Sequence, residues 1–287
     1  MSRVKRQIAP YLLVLPGSVW LLIFFAVPMI AMLSLSLQEG DIVHGYRFTG
    51  HWQNYTEAIS SYQTQIFRSL LYGAITTIVL IVLAFPVAYW IAFSGGRRKS
   101  TYLFLVLLPF FVSFVLRTIS WRQILTDEGP LLHPLREAGL ISASFHILGT
   151  PFAVIAGLAY NFLPFMVLPI YVALERIDPR VVEAARDLYA NPAVTFRRVI
   201  FPLALPGVFA GVLMTFVPAS SDFVNSEVLG SSETTMIGQV IQAQFLDNSD
   251  YPTASALSFV LMLVLLIGVF SYARILGTED VMKVAAR

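Results

Sequence analysis

Six stretches of this chain carry no Asp, Glu, Lys or Arg: residues 10–37, 69–93, 101–116, 151–174, 199–219 and 251–273. A bilayer core about 30 Å thick needs ~20 residues of helix to cross it, and only the third stretch falls short. That stretch stops at Arg117 and is expected to continue to about Ile124, with the long arginine stem reaching toward the headgroups. Hydrophobic residues make up 57% of the 287 and charged residues 13%, against about 25% charged in an average soluble domain, which excludes an ordinary water-soluble fold. The expectation is an all-α membrane protein with six transmembrane helices, forming a single transmembrane domain over 1–287. Pro28, Pro86, Pro109 and Pro164 each remove a backbone donor within a span, so kinks are expected there.

Basic residues set the orientation, because Lys and Arg beside spans stay in the cytoplasm. The first stretch follows Arg3, Lys5 and Arg6 and is 28 residues long, more than the roughly 7–15 of a signal-peptide core, so it is read as a retained anchor. With the N-terminus inside, the inner segments hold fourteen Lys and Arg and the outer segments five, namely Arg47, Arg68, Arg117, Arg122 and Arg136. Both termini are therefore expected in the cytoplasm, as an even number of crossings requires.

Residues 38–65, with Gly40, Gly45, Gly50, Trp52 and Tyr55, suit an outer loop. Residues 117–150 suit a folded outer cap, with a turn at Gly129–Pro130 and a short helix near Pro134–Ala138. In the outer segment 220–250, Met236, Ile237, Val240, Ile241 and Phe245 recur at helical spacing. The inner segment 175–198 is the most charged part of the chain. Asp178–Pro179 and Asn191–Pro192 each place an N-cap before a proline at the first helical position, which predicts helix, turn, helix. Such order on a cytoplasmic connection suits a surface for another protein; a solvated amphipathic loop is the alternative.

No catalytic constellation emerges. Cysteine is absent, which excludes disulfides and thiolate chemistry. Gly95–Ser100 superficially resembles a phosphate-binding loop, but that motif needs glycine where Phe93 and Arg98 stand. His44, His51, His133 and His146 show no metal-ligand spacing, so no metal is expected. A net charge of +2 points to no nucleic-acid partner. Gly207 and Gly211 form a G-x-x-x-G that suits close helix packing within the chain. Asp222 and Glu227, just beyond the fifth span, are candidates for a cation pathway, although an ordinary solvated surface would place carboxylates there too. A polyvalent cation would also use aromatic faces such as Trp121, Tyr160 or Phe223.

The segment EAARDLYANPAVTFRRVIFPLALPG resembles the signature of bacterial ABC-importer permeases, E-A-A, then glycine four positions on, then I-x-L-P, here with a different spacing of the last element. Glu183, Ala184, Ala185, Ile200, Leu205 and Pro206 stand near those positions. AVIAGLAYNFLPFMVLPIYVALERID, FVPASSDFV and IGQVIQAQFLDNSDYPTASA resemble the spermidine/putrescine permease family, first-gene type. The resemblance implies the type I (MetI-like) ABC importer permease fold in the bacterial inner membrane. It also implies a second homologous permease, a cytoplasmic ABC ATPase dimer holding the ATP and Mg, an extracytoplasmic solute-binding protein and a polyamine-like solute, with no cofactor on this chain.

On that basis 175–198 is a coupling loop, and Glu183, Ala184, Ala185, Asp187, Leu188 and Tyr189 form its ATPase-docking surface. Two alanines permit close approach, and Glu183 and Asp187, four apart, share a helical face. Tyr189 stands where the family has glycine. A tyrosine with positive φ is strained, so either Asn191 makes the turn or the loop geometry changes. The competing readings are an ion-coupled secondary transporter, which would carry ionisable groups at mid-depth in its spans, a membrane enzyme, or an ABC permease for an amino acid, iron or sulfate.

Overall fold

The computed structural model describes residues 14–142 and 144–275. Arg3, Lys5, Arg6, Lys283 and Arg287, which entered the orientation argument, lie outside the described residues. The described chain packs as two compact units, one reaching to Gln63 and including Ile241–Met262, the other formed by Thr64–Val240 and the residues from Leu263.

In the first unit, α1 runs Val14–Ser36. Its π-helical turn Leu22–Ala26 lies just before Pro28, whose ring clashes with the carbonyl four residues back and widens the turn. Residues expected as an outer loop form instead a hairpin of β1 (Gln38–Asp41) and β2 (Gly45–Phe48), paired antiparallel, and the first turns of α2 (Gln53–Ser94). The hairpin turn closes on Asp41 Oδ1, which accepts from the Val43 and His44 amides at 2.8 and 2.7 Å. Buried Ser36 bonds the Tyr55 hydroxyl at 2.7 Å, and Asn54 donates to the Ser36 and Gln38 carbonyls, tying the start of α2 to the end of α1. The break in α2 falls at Tyr62, with φ −120°, and not at Pro86.

The second unit holds the densest packing. After α2 come α3 (Lys99–Leu107), a 3₁₀ turn Leu108–Phe111 and α4 (Phe114–Leu125). The third apolar stretch does continue to Leu125, but as a separate limb bent by 88° from the helix before it. Pro109 supplies no amide, and Val112 and Ser113 are extended, with ψ of 141° and 137°, so the helical ladder stops and restarts. Arg117 does not reach outward: it is 8% exposed, with its guanidinium 4.6 Å from the centre of the Phe110 ring.

The short helix α5 (Leu132–Glu137) follows, close to its expected place, then α6 (Pro151–Glu175), α7 (Pro179–Asp187), α8 (Pro192–Ser220), α9 (Val224–Leu229), α10 (Ile237–Leu246) and α11 (Tyr251–Ile275). A second π-helical turn, Phe196–Ile200, precedes Pro202 as the first precedes Pro28. Helices α6 and α8 form the spine. A methyl on Gly207 would meet the Ala173 Cβ at 2.6 Å, and one on Gly211 would meet Met166 Sδ at 2.5 Å, so both glycines let the two backbones approach. Leu80, Ala84 and Ala88 of α2 and Leu158, Phe162, Met166 and Ile170 of α6 complete this core. Outward-facing Phe67, Ile78 and Val82 are more than 60% exposed, as residues solvated by lipid tails would be.

Candidate functional site

Two places concentrate polar side chains in a non-random geometry. The first is the segment 175–198. Asp178 Oδ1 accepts from the Arg180 amide at 2.9 Å, and Asn191 Oδ1 from the Val194 amide at 2.8 Å, so both N-caps form as the sequence predicts. Ile177 is buried and Val182 packs on the core, which orients α7. Glu183, Ala184 and Asp187 are exposed on α7, whereas Ala185 is half-buried.

Tyr189, not Asn191, makes the turn. It adopts φ +58°, its amide bonds the Arg186 carbonyl at 2.9 Å, and the Ala190 amide bonds the Ala185 carbonyl at 3.1 Å. This is a complete Schellman cap with a tyrosine in the left-handed position, and its side chain is 99% exposed beside Leu188 at 82%. Just before α7, Lys99 Nζ bonds both carboxylate oxygens of Glu175, at 3.0 and 2.9 Å. Just after it, a cleft of about 450 Å³ is lined by Asn191, Ala193, Val194, Arg197 and Arg198.

The second place is where α4, α6 and α9 meet. Asp222, between α8 and α9, is 8% exposed and finds its partner inside the chain: its Oδ1 accepts from the Asn225 amide at 2.7 Å and from Asn225 Nδ2 at 3.1 Å. Burial pushes its carboxyl up to about 6, against the lowering effect of the bonds from Asn225 and from the Ser226 amide. Asn225 Oδ1 accepts in turn from Asn161 Nδ2 at 3.1 Å, and the same nitrogen donates to Thr118 Oγ1 at 3.1 Å. Gly157, one turn before Asn161, permits the approach of α9: a methyl there would lie 2.7 Å from Asn225 Oδ1. Trp121 and Tyr160 pair edge to face beside this chain, ring centres 5.3 Å apart.

The structure thus pairs Trp121 with Tyr160 and links Asp222, through Asn225, to Asn161, the residue after Tyr160. Glu227 and Phe223 are exposed and outside the chain of bonds. Thr118, Asn161 and Asn225 were not singled out from the sequence, although an asparagine in the run AVIAGLAYNFLPF is a signal, since an amide in a span must find a partner. Among the described residues no group of three His, Asp or Glu is gathered for a metal. Each histidine is instead near a carboxylate: His44 by Asp41, His51 by Glu39, His133 by Glu128 and Glu137, His146 by Asp127.

Comparison with known proteins places the chain. Residues 7–276 match the model of the family described as "Binding-protein-dependent transport system inner membrane component". The chain belongs to this family. It is thus an inner-membrane component of a binding-protein-dependent transport system, with several spans. Among relatives, this inner-membrane component is 36% identical over 256 residues to the spermidine/putrescine transport system permease protein PotB of Haemophilus influenzae, covering 89% of this chain and 90% of that one. The protein of the same description from Escherichia coli K12 is 34% identical over 247 residues, 86% of this chain and 90% of that one. A bacterial ABC transporter that imports the acidic polysaccharide alginate superposes with a TM-score of 0.72 at 20% identity, over 96% of this chain and 98% of that one. The methionine ABC transporter MetNI superposes with a TM-score of 0.54 at 17% identity, over 77% and 94%. The fold is therefore that of ABC importer permeases.

Proposed function

We propose that this chain forms half of the translocation pathway of an ATP-driven importer for a small cationic solute, a polyamine of the spermidine/putrescine kind. The observation that carries the reading is the 36% identity, over nine-tenths of both chains, to a permease described as transporting those solutes. The buried carboxylate of Asp222, linked through Asn225 to Asn161, and the Trp121–Tyr160 pair support it, since a cation leaving water is compensated by a carboxylate and by aromatic faces. Glu227 and Phe223 contribute at the accessible approach. The chain binds no nucleotide, and ATP and Mg sit on a partner ATPase dimer. A second homologous permease completes the conduit. A solute-binding protein delivers the cargo, as a periplasmic protein does in the alginate transporter complex.

The orientation follows from the basic residues, fourteen inside against five outside, which puts both termini and the loop 175–198 in the cytoplasm. Glu183, Ala184, Asp187, Leu188 and Tyr189 then face the ATPase, with Ala185 setting how closely α7 lies on its own core. Closure of the ATPase dimer pulls α7. Because α7 is capped at both ends and rooted by Ile177 and Val182, the pull reaches α6 and α8 as a rigid displacement, and the pathway alternates its access.

The test is reconstitution in liposomes. Spermidine uptake that requires all partners and ATP supports the reading. Uptake by this chain alone, driven by an ion gradient, would make it a secondary transporter.

A further inference from the structure

The chain of bonds from Thr118 to Asp222 has a fixed direction. An ionised carboxylate only accepts, so Asn225 must turn its NH₂ to Asp222 and its carbonyl oxygen to Asn161. Asn161 must then turn its NH₂ to Asn225, and that group also serves Thr118. The consequence is that Asn161 Oδ1 has no donor, although the residue is only 1% exposed. An orphaned buried acceptor costs about 1–3 kcal/mol and calls for an explanation.

Within this junction the Asp222 carboxylate is served by the backbone amide and the side chain of Asn225, and Asn225 Oδ1 and Thr118 Oγ1 by the Asn161 amide, so Asn161 Oδ1 alone is left without a donor. Aromatic faces stand next to it on the same helices. Trp121 is one turn beyond Thr118 on α4, and Tyr160 precedes Asn161 on α6. Arg117 is turned to Phe110, which holds its guanidinium. The unpaired Asn161 oxygen suits a ligand group that donates.

We infer that Asn161 is a specificity-determining residue for the solute, its Oδ1 accepting from a primary ammonium group. The ammonium carries three donors, and it satisfies Asn161 Oδ1, which Asn225 links to the Asp222 carboxylate. Neutral or anionic solutes leave the acceptor unpaired and are disfavoured. This deepens the polyamine reading above and rests on it.

The experiment uses the full complex in liposomes with saturating spermidine-loaded binding protein, so that capture outside is not limiting. It reads uptake and stimulated ATP hydrolysis together. Asn161→Leu removes the acceptor and is expected to lower uptake about tenfold or more while ATP hydrolysis continues. Asn161→Gln keeps both an acceptor and an NH₂ donor on the side chain and is expected to retain at least half of the uptake. Thr118→Val removes the hydroxyl that accepts from Asn161 and donates to the Phe114 carbonyl within α4, and is expected to stay within twofold. Should Asn161→Leu fail to assemble, the other two variants decide: loss of uptake in both marks Asn161 as a structural tie and overturns the inference. Full uptake by an assembled Asn161→Leu complex overturns it as well. A wild-type complex that imports no polyamine overturns the solute reading itself, a result distinct from wild-type import that is indifferent to Asn161.

Discussion

Asn225 directs both its backbone amide and its side-chain amide at one oxygen of Asp222, at 2.7 and 3.1 Å. The backbone bond ties Asp222 to the first turn of α9, and the side-chain bond joins it to α6 through Asn161. One carboxylate therefore holds both the start of a short helix and the contact between elements.

Asp222 should make the protein's stability fall as pH rises. Its folded pKa, about 6, lies above the ordinary 3.8, so between these values the folded state holds more protons than the unfolded one. The destabilisation is absent below pH 3.8 and complete above about 6, where a shift of some two units corresponds to about 3 kcal/mol. Thermal unfolding of the purified protein should therefore show about 1 kcal/mol more stability at pH 5 than at pH 7.5 from this group. Asp222→Asn should flatten that step and lower polyamine uptake without disrupting assembly. An unchanged pH profile would deny the burial effect, and unchanged uptake kinetics the transport role.

Tyr189 bears left-handed strain that a glycine would not. Tyr189→Gly should leave α7 formed and stabilise its end by about 1 kcal/mol, read as slower amide exchange at Ala190. Tyr189→Pro fixes φ near −65° and removes the amide that bonds Arg186, so it should open the cap and abolish coupled transport. Equal exchange rates at Ala190 in wild type and Tyr189→Gly would show that the strain is not felt.

Glu183→Lys inverts the charge on the exposed face that Glu183 shares with Asp187. Retention of the ATPase on a column carrying the tagged permease is expected to drop, or ATP hydrolysis to continue without transport. A variant complex that stays fully coupled would remove Glu183 from the docking surface.

Gly207→Ala should cost about 1–3 kcal/mol, because the added methyl meets the Pro169 carbonyl and the Ala173 methyl between two rigid helices. Gly17→Ala is the control, with nothing within 4 Å of the new carbon. Unfolding temperatures of the two variants should differ by several degrees; equal values would mean that α6 and α8 shift apart at little cost.

The spans, both N-caps of 175–198 and the helix-facing role of Gly207 and Gly211 were legible in the sequence because each is local: an apolar run, an Asx–Pro pair, two glycines four apart. The elbow after Pro109 was legible only in part, since a kink was expected there but equally at Pro86 and Pro164. Proline alone does not decide whether a membrane helix bends, and Pro86, Pro164 and Pro169 lie within continuous helices while Val112 and Ser113 break one. Arg117 was read as snorkelling because its stem is long, whereas a phenylalanine seven residues earlier holds it inside. The Asp222 site was only half legible. A carboxylate after a span is visible in one dimension, but its company, Asn225 from the next helix and Asn161 from an earlier one, is set by tertiary packing.

The elbow at Val112–Ser113 also bears on the membrane itself. Its limbs, Gly96–Phe111 and Phe114–Leu125, have sixteen and twelve residues and rise about 24 and 18 Å, each less than the thickness of the hydrocarbon layer. Lipid tails offer no donor for the carbonyls freed at the corner, so protein or water must meet them there. Around this corner the bilayer cannot close against the chain as a uniform oily sheet.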